Sequence, residues 1–162
     1  MLCFYPEDFG ALADGKANDC KAIQDAIDKA FENGGGTVVL TSGKTYFSDS
    51  IQLKKNVELH LQKGSRLKAT DNIEGYIRPC NMINDPKTAL IGNPVTGKPS
   101  FVFIYGFEAD GCSITGEGTI DANGHSFVER KDRYYVTGNF YPRPTVLYIE
   151  KSNNTYEEKF LR

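Results

Sequence analysis

The sequence predicts an all-β solenoid: the first few coils of a right-handed parallel β-helix, covered at its start by one amphipathic helix. Three observations predict it. Sixteen glycines and no tryptophan accompany many short β-branched and aromatic runs, the composition of strands broken by frequent turns. One segment near the start carries a 3.6-residue period and nothing after it does. The short runs return at roughly 20 to 30 residues, about one coil of a stacked repeat.

The helix is predicted over Asn18 to Asn33. Ala22, Ile23, Ala26, Ile27, Ala30 and Phe31 make one apolar stripe, Asn18 or Asp19 is the N-cap, and Gly34-Gly35-Gly36 ends the helix in left-handed backbone. Asp25 and Lys29, four apart, are expected to pair on the polar face.

Short strands are predicted at Thr37 to Leu40, Ile51 to Leu53, Val57 to Leu61, Arg66 to Ala69, Phe101 to Tyr105, Ser113 to Thr115, Thr119 to Asp121 and Thr145 to Glu150. In Val57-Glu58-Leu59-His60-Leu61-Gln62 the alternation is strict, so Val57, Leu59 and Leu61 face a core while Glu58, His60 and Gln62 face water. These runs are too short and too evenly punctuated for a doubly wound sheet. In a parallel solenoid each coil buries its apolar positions by stacking on the next, and the stripe of the helix covers the first coil.

The 162 residues therefore read as one domain, with coils at 37–69 and 101–150 and long loops at 70–100 and 124–144. A chain of this size buries roughly two-thirds of the surface it exposes when unfolded, enough for a core without metal or disulfide. The 19 basic and 21 acidic residues leave a net charge of −2, with no run of five basic residues to attract nucleic acid or anionic lipid. Neither nucleic acid nor membrane is an expected partner, and no cofactor is expected. Cys3, Cys20, Cys80 and Cys112 form no Cys-x-x-Cys pair, and with only His60 and His125 a closed zinc site is not expected. The four thiols fit two disulfides in an oxidising compartment or small buried hydrophobes. Glu7 and Asp8 interrupt any apolar leader after Met1, so no signal peptide is expected in the chain as given, and its location stays open.

Asp8-Phe9-Gly10-Ala11, Asp14-Gly15, Ala22-Ile23-Gln24-Asp25-Ala26-Ile27 and Gly34-Gly35-Gly36-Thr37-Val38 resemble the opening motif of the pectate-lyase-like β-helix superfamily. Leu59-His60-Leu61, Lys63-Gly64-Ser65, Leu67-Lys68-Ala69 and Ile114-Thr115-Gly116-Glu117-Gly118-Thr119-Ile120-Asp121-Ala122-Asn123-Gly124 resemble the polygalacturonase-type hydrolases, glycoside hydrolase family 28. The likeness runs from about Asp8 to Ile149. It implies glycosidic hydrolysis of pectin-like polysaccharide, with inversion by acid and base carboxylates roughly 6.5 to 9.5 Å apart. It also implies a parent protein that is secreted or periplasmic.

The family's Asn-Thr-Asp, Asp-Asp, Gly-His-Gly and Arg-Ile-Lys segments, carried on later coils, do not occur here. The chain is accordingly expected to be the N-terminal portion of such a hydrolase, inactive by itself, and no catalytic residue is assigned. Asp8, Asp14 and Asp121 are expected to stabilise turns. His60 lacks a neighbour to orient it, and His125 lies in a loop. The alternative is a carbohydrate-binding or adhesive module, or part of a lyase or epimerase. Its candidate ligands to a uronate polymer are Arg130, Arg133 and Arg143, whose guanidinium forks suit carboxylates, and Tyr134, Tyr135 and Tyr141, whose rings suit sugar faces. The same stretch also reads as a solvated loop pinned by its aromatics. The coil strand Thr145 to Glu150 is expected to leave apolar core uncovered, with self-association as the consequence unless the polar tail folds over it.

Overall fold

The computed structural model describes residues 2–79, 99, 101–127, 129–131, 134–136 and 144–157. Fourteen strands, β1 to β14, and one α-helix, α1, are found among them. In chain order they are β1 (Cys3–Phe4), β2 (Asp14–Asn18), α1 (Cys20–Glu32), β3 (Gly36–Leu40), β4 (Thr45–Ser48), β5 (Ile51–Leu53), β6 (Val57–Leu61), β7 (Arg66–Ala69), β8 (Val102–Phe107), β9 (Ser113–Gly116), β10 (Thr119–Asp121), β11 (Glu129–Lys131), β12 (Tyr134–Val136), β13 (Thr145–Glu150) and β14 (Tyr156–Glu157). Short 3-10 turns sit at Pro6–Phe9, Ile73–Gly75 and Gly124–Phe127.

Twelve of these strands stack into three parallel sheets, and β11 and β12 form a separate antiparallel pair. The first runs β1-β3-β6-β9-β14, the second β10-β7-β4-β2 and the third β13-β8-β5. Each pass of the chain visits the three sheets in turn, which is a right-handed parallel β-helix. Val38 stacks on Leu59, 21 positions later, and Leu59 on Ile114, 55 positions later. The larger step contains the segment between β7 and β8. A second long segment separates β10 from β13, and it leaves the coil at the same corner, between the second and third sheets. In the coil before them only Asp49 and Ser50 turn that corner.

Alternation decides what the coils bury. Val38, Leu40, Leu59, Leu61, Leu67, Ile51, Leu53 and Ile104 are fully buried, and each contributes about 1.5 to 3 kcal/mol relative to exposure. Two glycines let the coils approach. A Cβ on Gly116, whose φ is +103°, would lie 2.0 Å from the Leu61 carbonyl oxygen, and one on Gly118 would lie 2.5 Å from Ser65 Oγ. That is why the predicted turn at 116–118 is spelled Gly-Glu-Gly.

The helix is shorter than the stripe suggested, beginning at Cys20 and ending at Glu32. Asp19 holds the N-cap position, but its carboxylate accepts the Leu12 and Ala13 N–H groups at 2.8 and 3.1 Å, while Asn18 Oδ1 accepts the Cys20 N–H. Ala22, Ile23, Ala26, Ile27 and Ala30 face the open top of the first full coil, against β3 and β5. Phe31 departs from the expected stripe. It is 44% exposed and lies under Lys54, whose Nζ is 5.3 Å from the ring centroid, because the stripe drifts around the cylinder by the last turn. The polar face is also paired differently: Asp25 meets Lys21 and Lys29 meets Glu32.

At the other end β13 is the outermost strand of its sheet. Its inward Leu147 and Ile149 are only half-buried, whereas Ile104, on which Leu147 stacks, is buried. A cavity of about 100 Å³ lies there, lined by Leu53, Cys112, Ile114, Leu147, Ile149 and Tyr156. The tail does not stay polar coil throughout, since Tyr156 and Glu157 pair in parallel with Ser113 and Ile114 as a further strand of the first sheet.

Candidate functional site

The outer face of the third sheet gathers aromatic and acidic groups from different coils. Gln52, Tyr105 and Tyr148 occupy one outward row, and Phe107 and Glu150 the next. The Tyr105 and Tyr148 rings stack 6.3 Å apart with planes 5° from parallel, as consecutive rungs of a parallel sheet place them. Tyr105 also stacks on Phe107 at 6.5 Å and donates its hydroxyl to Glu150 Oε1 at 2.7 Å. Burial, then the Glu150 carboxylate, push the Tyr105 hydroxyl well above its ordinary pKa, so it remains a donor at neutral pH. Lys151 Nζ lies 5.0 Å from the centre of Phe107. Face, edge and charge of these groups suit a polyhydroxylated ring that carries a carboxylate.

Beside this face stand the feet of both long segments. Phe103 points outward from β8, yet it is buried, because Tyr76 lies 6.3 Å from it and Phe127 packs edge-on against Tyr76 at 6.0 Å. Tyr76 belongs to the first segment and Phe127 to the second. Ser50 holds the first segment at both ends: its N–H donates to Gly75, its Oγ accepts the Ile77 N–H at 2.9 Å, and its hydroxyl donates to the Val102 carbonyl. Arg78 covers Phe101 with its guanidinium 4.9 Å from the ring centre.

Of the residues expected to hold a sugar, Arg130 lies on β11 and Tyr134 and Tyr135 on β12. The two strands form an antiparallel pair that sets Arg130 opposite Tyr135 and Lys131 opposite Tyr134. The stretch read from sequence as a structureless loop thus contains a 3-10 turn and a hairpin. Arg133, Tyr141 and Arg143 lie outside the described residues. Sequence reasoning missed Tyr105, Tyr148 and Glu150. The signal was the aromatic alternation Phe103, Tyr105, Phe107, readable as an outward row only once the strand's inward partners are known.

The other candidates have structural roles. Asp121 Oδ1 accepts the Asn123 N–H at 2.9 Å, and its carboxylate lies 3.8 Å from Arg66. Asp14 accepts the N–H groups of Ala17 and Lys16, which hold its carboxyl below the usual range. On the first sheet Glu58 accepts the hydroxyls of Thr37 and Thr115, which leaves Thr115 Oγ1 to accept from His60 Nδ1 at 2.7 Å. This is no catalytic triad, because the Thr115 proton points to Glu58 rather than to the imidazole. It ties three strands together. Cys3, Cys20 and Cys112 are free thiols, the last buried, and burial pushes the Cys20 and Cys112 thiols up. Cys80 lies outside the described residues. Among the described residues no three His, Cys, Asp or Glu side chains converge as a metal site requires, and no helix is long and apolar enough to cross a membrane.

The family model described as rhamnogalacturonase A/epimerase, pectate lyase-like matches residues 7–156. The chain belongs to that family. As a pectate-lyase-like β-helix it is 33% identical over 123 residues, 75% of its length, to the capsule KN3-specific depolymerase 1 of Klebsiella phage KN3-1. It is also 33% identical over 128 residues, 73% of its length, to plasmin and fibronectin-binding protein A of Streptococcus pneumoniae. The chain spans 16% and 15% of the lengths of these two relatives. The family 28 exopolygalacturonase of Yersinia enterocolitica superposes on 96% of the chain and over 33% of its own, with a TM-score of 0.71 at 20% identity. Hydrolases, epimerases and adhesins thus share these coils, and the fold is common to chemistries that differ.

Proposed function

We propose that this pectate-lyase-like chain holds a uronate-rich, pectin-type polysaccharide along the outer face of its third sheet, as the binding part of a polysaccharide-processing protein, and does not itself cleave the polymer. The observation that carries this reading is the pair of outward rows: Tyr105, Tyr148, Phe107 and Glu150 stacked beside the feet of both long segments. Edges and faces of the tyrosines pack on sugar rings, Gln52 donates and accepts hydrogen bonds, the Tyr105 oxygen accepts one while its proton stays on Glu150, and Lys151 supplies a cation for a uronate carboxylate. Inverting hydrolysis needs two carboxyl groups spaced for a water between them. Among the described residues, these two rows carry one, Glu150, and it already accepts the Tyr105 proton.

Isothermal titration with oligogalacturonates, run beside a reducing-sugar assay on polygalacturonate, tests both halves. Binding without new reducing ends is expected. New reducing ends from purified protein overturn the second half, and the absence of heat at millimolar ligand overturns the first.

A further inference from the structure

We infer that Asn123-Gly124 is a site of spontaneous backbone modification, converting to aspartate and isoaspartate through a cyclic imide, and that the chain's other Asn-Gly pair, Asn33-Gly34, is protected by the fold. The sequence makes the two dipeptides chemically alike. The structure separates them.

The reaction needs the backbone nitrogen of the glycine. It gives its proton to hydroxide and bonds to the asparagine Cγ; Nδ2 takes a proton back from water as the Cγ–Nδ2 bond breaks, and ammonia leaves. Water then opens the five-membered imide at one of its two carbonyls, giving aspartate or, with an extra carbon in the main chain, isoaspartate. Glycine permits this because no Cβ obstructs the attack.

At Asn33 both reacting groups are engaged. The Gly34 N–H donates to the Phe31 carbonyl at 2.9 Å, closing the end of α1, and Asn33 Nδ2 donates to the Gly35 carbonyl at 3.2 Å. At Asn123 the side chain is not so held. Gly124 is exposed and opens the 3-10 turn Gly124–Phe127, so its N–H has no acceptor within that turn. Nothing lies within 4 Å of where a Gly124 Cβ would stand. The site is open to hydroxide and water.

The position gives the change a consequence. Asn123 donates its N–H to Asp121 and accepts the Ser126 N–H at 3.0 Å, and this turn carries Phe127 onto Tyr76. A new carboxylate two residues from Asp121 adds like charge, and an isoaspartate lengthens the turn that seats the foot of the second long segment.

Incubation of the whole chain at mildly alkaline pH, followed by peptide mapping with mass and isoaspartate detection, tests the inference. Asn123 is expected to convert about tenfold faster than Asn33, the factor for a site whose hydrogen bonds must open first. In denaturant the two rates should converge. Gly124→Ala has room for its methyl group and is expected to keep the thermal midpoint while slowing conversion at 123 about tenfold or more; Asn123→Gln gives a second slow variant if that one does not fold. Equal native rates at the two sites, a faster Asn33, or an unchanged rate in both variants would overturn the inference.

Discussion

Ser50 and Val102, 52 positions apart, are joined by one side-chain hydrogen bond, the Ser50 hydroxyl donating to the Val102 carbonyl. The same oxygen accepts the Ile77 N–H, so a single buried serine closes the loop that leaves the coil after β7 and returns at β8.

Ser50→Ala therefore leaves the buried Val102 carbonyl and the part-buried Ile77 N–H without that partner. A loss of about 1–3 kcal/mol is expected in denaturant unfolding. Hydrogen exchange should accelerate at Ile77 in particular, and unchanged exchange there would show that the serine does not hold the segment.

Gly116→Ala is expected to be costlier than most surface changes. Its φ of +103° is strained for any L side chain, and the methyl group would meet the Leu61 backbone at 2.0 Å. On the order of 2 kcal/mol or more should be lost. A thermal midpoint equal to that of the parent chain contradicts the close stacking of these coils.

Stability should fall at both pH extremes for identifiable reasons. Burial alone would raise Glu7, but the Lys44 ammonium at 2.7 Å and the Thr41 and Tyr46 hydroxyls outweigh it and hold the carboxyl below its ordinary value of 4.5. A depressed folded pKa stabilises above the unfolded value and is lost as pH falls through the folded one. Asp19, raised by burial, works in the opposite sense, so Glu7→Gln isolates the first effect by flattening the acid limb. Tyr46, pushed up to about 12 by burial, stabilises below its unfolded value of 10 and loses that contribution between 10 and 12. Thermal midpoints across the pH range, for parent and Glu7→Gln, check the signs.

If the third sheet holds polymer, Tyr148→Ala should weaken oligogalacturonate binding by roughly 0.5–1.5 kcal/mol, the worth of an aromatic contact beyond its area. Tyr148 is half-buried on the outermost strand, so its removal opens little core. Titration at matched stability measures this, and unchanged affinity would move the site elsewhere.

The half-buried Leu147 and Ile149 on β13, with Tyr156 59% exposed nearby, are expected to drive association between copies. The scattering mass should rise with concentration and fall back in Ile149→Lys. A monomer at high concentration in the parent chain excludes it.

The elements with regular local signals were legible. Val57–Leu61 and Arg66–Ala69 have the bounds their alternation indicates, and the stripe of Ala22, Ile23, Ala26 and Ile27 faces the core. Thr45–Ser48 was missed although Tyr46 is buried, because four residues between turns carry too little period to distinguish a strand. Phe103 shows the limit of alternation. Its parity places it outside the coil, yet it is buried, with Tyr76 from a distant segment against it and Phe127 from another packed on Tyr76.

By itself the sequence determined the stacked coils, the covering helix and the family, because these depend on patterns within one turn of chain and on motifs read in order. The tertiary structure alone decided that Tyr105, Tyr148 and Glu150 share a face, that Ser50 ties down a segment, and that one Asn-Gly pair is shielded while the other is open. The first two facts depend on register between coils, which sets residues dozens of positions apart on neighbouring rungs. The third depends on which hydrogen bonds close the end of α1, which the dipeptide alone does not reveal.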